Sequence, residues 1–479
     1  MSKKLEISLF ILVLLVAVFL SSYCLKTSPP FWFDEGTFYQ VVNNLAFQGV
    51  SGVQLAPGIF SDLSLISLGY PVFYPAAGIF RLFGASLLVE RGIAVFFLLG
   101  LVSVSYFLVR KWYGARAALI TLGLMVTFAP LYGNGKSFLG EVPGLFFLIA
   151  GVLILSYLPR LSKNNFWLSL LAGIVLGMAV SVKPSYLPLL PALAVGLAVN
   201  WRVFFTTRKG RETLIAGVVG LLAAMVIWVL TQFDTSASVA RIFKHYSNPY
   251  YVSDWLSVIL LNLKRFFIES TPLHSFLLLI VAAWFFVKRF WKKEVISTGE
   301  IVIFVFALLT FAAYLRTVGW YRYFFPAHFI LFLFFVPALE SALDTLFKSG
   351  KQKIFWFWIV ISALFLAQLI PLSKNTLSCN IDAPSSVEPY FQSLGVGEKV
   401  LFYSLPQLAA RYPRFDFYQY IRMSEQLQLG KENIALIGSG FFDVIFIEEA
   451  KKEEVSQYSA YHLEQNIFGI SIYRKTSKK

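Results

Sequence analysis

Phe31-Trp32-Phe33-Asp34-Glu35-Gly36 sets two adjacent carboxylates directly after a first hydrophobic run and behind the helix-stopping pair Pro29-Pro30. Of the 479 residues, 57% are hydrophobic, 17% aromatic and only 14% charged. The charges fall between apolar runs of the length needed to cross about 30 Å of hydrocarbon. This composition describes an α-helical polytopic membrane protein, and such a chain needs a reason to hold an acidic pair at the membrane surface. The net charge of +15 does not point to a nucleic-acid partner, because the basic residues cluster at alternate ends of the apolar runs, which is a topological pattern.

About eleven spans of roughly 18 to 22 residues are expected, near 5–24, 91–109, 116–132, 141–159, 166–182, 185–200, 213–231, 272–288, 300–317, 323–343 and 354–371. With Lys3 and Lys4 in the cytoplasm, the next inner turns carry Arg110, Lys111 and Arg116; Arg160 and Lys163; Arg202, Arg208, Lys209 and Arg211; Lys288, Arg289, Lys292 and Lys293; and Lys348, Lys351 and Lys353. Every inner turn is basic, as the positive-inside bias requires, so the C-terminus is expected outside the cytoplasm. Residues 1–24 share a basic start and an apolar core with signal peptides. The core is nevertheless as long as a span, and Ser22-Tyr23-Cys24 offers no small-x-small cleavage site, so an uncleaved helix is expected.

The outer segments are long. About 65 residues separate the first two spans and about 40 the seventh and eighth, whereas packed bundles favour short connections. The working face is therefore expected to be extracytoplasmic. Phe38, Val41, Val42 and Leu45 recur at helical spacing and predict an amphipathic helix; a second is expected over Pro75–Phe83, ended by Gly84. The expected organisation is a transmembrane domain over 1–372, with outer loop 25–90, and a small extracytoplasmic α/β domain over 373–479. In that domain 400–403, 444–447 and Ile467–Tyr473 read as strands, and Leu405–Arg411 and Asn433–Ile437 as helices.

Asp34 and Glu35 open a helix, so a cap and a first-turn acid explain them without function. The functional reading needs cations outside the membrane. Lys136, Lys183, Arg316 and Arg322 all fall there, against the usual bias, with Glu141 and Tyr321 beside them. One such residue is explained by snorkelling to lipid headgroups. Several together suit an anionic group such as phosphate. His245, His274, His328 and His462 look scattered and suggest no metal site. Cys24 and Cys379 are expected to be inert thiols, a disulfide being the alternative. The Tyr246–Tyr251 cluster reads as interfacial belt, with stacking on a sugar or prenyl chain as the alternative.

Phe33-Asp34-Glu35-Gly36, Gly69-Tyr70-Pro71 leading through Phe83-Gly84 to Arg91, Gly140-Glu141-Val142-Pro143, Lys183-Pro184 and Tyr321-Arg322-Tyr323-Phe324-Phe325-Pro326 together resemble the GT-C glycosyltransferases of the protein O-mannosyltransferase and aminoarabinose transferase type. The resemblance covers roughly residues 5–345. It departs from the oligosaccharyltransferase branch in lacking an Asp-x-Asp near the second outer loop and a Trp-Trp-Asp in the tail.

It implies a GT-C fold and inverting transfer of a sugar from a polyprenyl-phosphate carrier to an acceptor hydroxyl at the extracytoplasmic face. The acceptor is a glycan, glycolipid or protein, and the membrane a prokaryotic plasma membrane. Asp34 is the implied base, Glu35 positions it or the substrate, and Lys183, Arg316 and Arg322 clamp the phosphate. Tyr321, Glu141 and Lys136 are implied to contact substrate. Some relatives use a divalent cation, so metal dependence stays open. A lipid-sugar flippase is the main alternative, and a non-catalytic scaffold a third.

Overall fold

The computed structural model describes residues 2–476 apart from 64–65, 159–164, 234–238, 241–247, 249–252, 318–320, 380–382, 413–415 and 423–427. Arg160, Lys163, His245 and, except for Asn248, the Tyr246–Tyr251 cluster lie outside the described residues.

Among the described residues eight helices are long and apolar enough to cross a membrane: Lys3–Ser22, Leu87–Val126, Asn165–Val182, Arg208–Gln232, Ser270–Trp291, Thr298–Leu315, Tyr321–Leu346 and Gly350–Asn375. Leu87–Val126, 40 residues long, is two helices joined at Gly114, whose φ of 86° breaks helical geometry between the basic residues Lys111 and Arg116. Separating its halves and adding the shorter apolar helices Glu141–Ser156 and Pro184–Val199 recovers the expected eleven. The chain is an integral, multi-pass membrane protein.

The chain forms two compact units. One comprises Met1–Tyr23, Val95–Gly135 and Gly140–Leu377, and so holds most of the apolar helices. Within it Asn165–Val182 packs tightly against Arg208–Gln232. A Cβ on Gly173 would lie 2.0 Å from the Gly217 carbonyl oxygen, so only glycine permits this approach. Between apolar helices, which gain nothing from leaving lipid, such close packing supplies the cohesion. Polar ties add to it: Ser169 Oγ donates to the Thr213 carbonyl at 2.6 Å, and Glu6 in the first helix accepts from Tyr106 Oη at 2.6 Å and from Arg110.

The second unit comprises Cys24–Ala94, Lys136–Leu139 and Ser378–Lys479. Its sheet runs in the order Gln428–Leu429, Phe417–Arg422, Val400–Tyr403, Val444–Glu448, Ile470–Lys475, Tyr461–Ile467. The three strands Phe417–Arg422, Val400–Tyr403 and Val444–Glu448 are parallel, and the closing pair is antiparallel. Both strands expected at 400–403 and 444–447 are present, buried on both faces as their continuous apolar runs require. The single closing strand expected over Ile467–Tyr473 is instead a hairpin turning at Phe468-Gly469, both with positive φ. Leu405–Arg411 forms a 3-10 segment from Pro406 to Arg411 rather than an α-helix.

Two helices that follow the first apolar span, Phe33–Gln48 and Tyr70–Phe83, pack on each other through Phe38 with Phe73 and Tyr39 with Phe80. The first is buried on nearly all sides, not on one face alone. The reason is local: the Pro406–Arg411 segment crosses it at Gly36, where an added Cβ would fall 2.3 Å from Gln407 Cα and 2.4 Å from the Pro406 oxygen. Gln40 Nε2 donates to that same oxygen at 3.4 Å.

Cys24 and Cys379 are paired in a disulfide with a Cα–Cα distance of 5.5 Å, which corrects the expectation of two inert thiols. The second unit brings together two ends separated by 355 residues, and that separation hid the pairing.

Candidate active site

The acidic pair sits in the first turn of Phe33–Gln48. Glu35 is fully buried and its carboxylate is saturated. Oε1 accepts from Arg91 Nε at 2.8 Å and from the Phe138 amide at 3.2 Å; Oε2 accepts from an Arg91 terminal nitrogen at 2.9 Å and from the Trp32 amide at 3.3 Å. Arg91, also fully buried, spends its remaining terminal nitrogen on the Leu25 carbonyl at 2.8 Å. A planar guanidinium matched edge-on to a carboxylate is the geometry that makes a buried ion pair tolerable. Asp34, one residue earlier in the turn, is only partly buried.

Lys136 lies in the same unit and is fully buried. Burial, followed by repulsion from Arg91, pushes its amine down to about 8. Glu90 is fully buried as well, and neither of its oxygens has a hydrogen-bond partner among the described residues. The Tyr39 hydroxyl is likewise unpartnered among them. Burial, then the nearby Glu90 carboxyl, pushes that phenol above its usual range.

In the other unit a second group forms. Lys183 Nζ donates to Glu141 Oε1 at 2.6 Å, and both residues are buried. Glu141 opens the helix Glu141–Ser156; Lys183 caps the 3-10 turn Pro184–Tyr186, its backbone extended as a residue before proline must be. The Tyr186 hydroxyl donates to the Glu141 carbonyl. Arg322 acts electrostatically on Glu141 and donates to the Tyr323 hydroxyl at 3.1 Å. Both Arg322 and Lys183 lie over the Tyr323 ring, at 5.0 and 5.9 Å from its centroid. Glu141, Lys183, Arg322 and Tyr323 thus form one basic, aromatic-lined group. Glu141 Oε2 has no hydrogen-bond partner among the described residues.

Tyr321 turns toward a different partner. Its hydroxyl and His328 Nδ1 are hydrogen-bonded at 2.7 Å, and His328 Nε2 and His274 Nδ1 at 3.0 Å. These two histidines, which look scattered in sequence, are therefore neighbours. Arg316 is the C-cap of Thr298–Leu315, exposed and not hydrogen-bonded to the Glu141 group.

Among the described residues no three His, Cys, Asp or Glu side chains gather to hold a metal ion, so no step is assigned to one. Neither Arg91 nor Glu90 carries a role that is evident from the sequence alone. The signal for Arg91 was present: it is an arginine at the end of a span that the charge pattern leads one to expect outside the cytoplasm, against the positive-inside bias.

The dolichyl-phosphate-mannose-protein mannosyltransferase family matches residues 11–233. This stretch contains the acidic turn, Arg91, Lys136, Glu141 and Lys183. The ArnT structure from Cupriavidus metallidurans bound to undecaprenyl phosphate aligns with a TM-score of 0.68 at 14% identity, covering 100% of this chain and 99% of that one. The fold is that of the GT-C glycosyltransferases.

A second GT-C structure, the Archaeoglobus fulgidus oligosaccharyltransferase in complex with zinc and sulfate, aligns with a TM-score of 0.60 at 13% identity, over 98% of this chain and 73% of that one. The archaeal oligosaccharyltransferase AglB from Archaeoglobus fulgidus, in complex with an inhibitory peptide and a dolichol-phosphate, gives 0.59 at 12% identity, over 99% and 74%. No curated protein matches the chain by sequence. Sequence match and fold together indicate a glycosyltransferase.

Proposed function

We propose that the protein is an inverting glycosyltransferase that moves a sugar from a polyprenyl-phosphate carrier to an acceptor hydroxyl at the extracytoplasmic face. In this reading the N-terminus is cytoplasmic and the C-terminus outside. The observation that carries the proposal is the clamped acidic turn. Four donors saturate Glu35 and fix the turn, and Asp34 is its partly accessible carboxylate.

The acceptor hydroxyl oxygen attacks the anomeric carbon, the bond from that carbon to the phosphate oxygen breaks, and its electron pair leaves with the carrier phosphate. Asp34 takes the acceptor proton as the attack proceeds, because a neutral hydroxyl is a poor nucleophile. A phosphate leaving group needs no strong acid, but its growing charge needs fixed cations. Lys183 and Arg322, which both lie over the Tyr323 ring, are the cations assigned to that role. Glu35 acts as a positioning residue through Arg91, and Glu141 sets the Lys183 amine.

The relatives support a lipid-phosphate donor: ArnT is bound to undecaprenyl phosphate and AglB to a dolichol-phosphate. The flippase alternative gains nothing from either comparison. The deciding experiment incubates purified protein with a panel of polyprenyl-phosphate sugars and candidate acceptors and measures release of the free carrier phosphate. Release that disappears in Asp34→Asn supports the proposal. No release from any donor, or full release by the Asn variant, overturns it.

A further inference from the structure

Tyr321, His328 and His274 form a chain of two hydrogen bonds inside one unit. Tyr321 and His328 lie seven residues apart on Tyr321–Leu346, and His274 comes from Ser270–Trp291. His328 is fully buried, edge-on to Phe128 at 4.5 Å and stacked on Phe332 at 5.7 Å. Neither ring is hydrogen-bonded to a carboxylate among the described residues, so nothing offsets a charge in this aromatic box. Both imidazoles are therefore neutral.

In a neutral pair the protons can be arranged in two ways. Either Tyr321 donates to His328, His328 Nε2–H donates to His274, and His274 is left with Nε2–H; or every bond runs the other way and His274 Nε2 carries a bare lone pair. His274 Nε2 is buried with no hydrogen-bond partner among the described residues. An orphaned N–H is the rarer and costlier defect, so the second arrangement is preferred.

We propose that the chain runs from His274 Nδ1–H to His328 Nε2 and from His328 Nδ1–H to the Tyr321 oxygen, leaving the Tyr321 hydroxyl proton to be donated to the phosphate of the lipid carrier. Tyr321 is only partly buried, and it directly precedes Arg322. His328 and His274 are positioning residues: they keep the phenol an anion donor by filling one of its acceptor sites. The direction of the chain follows from the histidines alone, whereas the identity of the anion rests on the function proposed above.

The test has two readouts. A His245→Gln/His462→Gln protein labelled with ¹⁵N-histidine, in lipid nanodiscs, leaves only the two histidines of the chain, and solid-state NMR then reports which ring nitrogens are protonated. Nδ1–H at both is expected; Nε2–H at either, or an imidazolium, overturns the direction. Binding of undecaprenyl phosphate to the full chain is the second readout. Tyr321→Phe and His328→Phe are each expected to weaken it roughly tenfold. His274→Asn, whose amide N–H takes the place of Nδ1–H, stays near wild type, while His274→Leu loses several-fold. Unchanged binding in Tyr321→Phe overturns the anion role. A wild-type protein that does not bind the lipid phosphate at all instead removes the carrier reading, and the tautomers alone then decide the direction.

Discussion

Arg91 grips Glu35 with two parallel N–H bonds of 2.8 and 2.9 Å, while its third nitrogen is held by the Leu25 carbonyl. Lysine carries the same charge but only a point donor. Arg91→Lys should therefore lower the melting temperature in detergent and reduce transfer by Asp34. Arg91→Ala should do worse, by about 3–5 kcal/mol, because it leaves a buried carboxylate without its cation. Thermal melting of the two variants side by side checks the order; equal loss would mean that charge alone matters.

Asp34→Asn removes a base without removing volume. Transfer should fall by about 10²–10⁴-fold with melting behaviour and lipid-phosphate binding unchanged. A parallel fall in stability would return Asp34 to the role of a helix cap.

Lys183 and Glu141 separate structure from function. Lys183→Met alone strands a buried Glu141 and should destabilise the fold. Adding Glu141→Leu should restore much of the melting temperature, whereas binding of the carrier phosphate should stay lost, since its cation is gone. Recovery of both in the double variant would leave the pair a purely structural one.

Lys136 gives a pH signature. Burial, and then repulsion from Arg91, depresses its amine from the usual 10.5 to about 8 in the folded chain. Between those values the unfolded chain binds a proton that the folded one has released, so this residue adds stability as pH rises through the window. Below about 8 the charged amine must be accommodated, and the gain is absent. Melting temperature measured from pH 7 to 10 should rise more, or fall less, in the wild type than in Lys136→Met, and identical profiles would show that the amine titrates normally.

The parts of this protein that could be read in advance are those with a long or continuous signal. Span after span of apolar residues, with basic residues in alternate turns, announced the bundle, and even the break at Gly114 fell inside the basic stretch from Arg110 to Arg116. Val400–Tyr403 and Val444–Glu448 showed because both faces are apolar. Tyr461–Ile467 did not: it is an edge strand whose residues are mostly exposed, so burial imposes no pattern on it. Pairings across long stretches of chain were equally silent. Glu35 and Arg91 are 56 residues apart, His328 and His274 54, and the cysteines 355. Nothing local announces such partners; only the packing that brings their elements together does.

The contact of Gly36 with Pro406 and Gln407 leaves less space than a methyl group. The acidic helix and the tail are thus cut to one another's shape, and neither can be exchanged alone. A chimaera that swaps the tail for a relative's must carry the matching segment around Gly36 with it, and a truncation ending before residue 406 would uncover the back of the turn that presents Asp34.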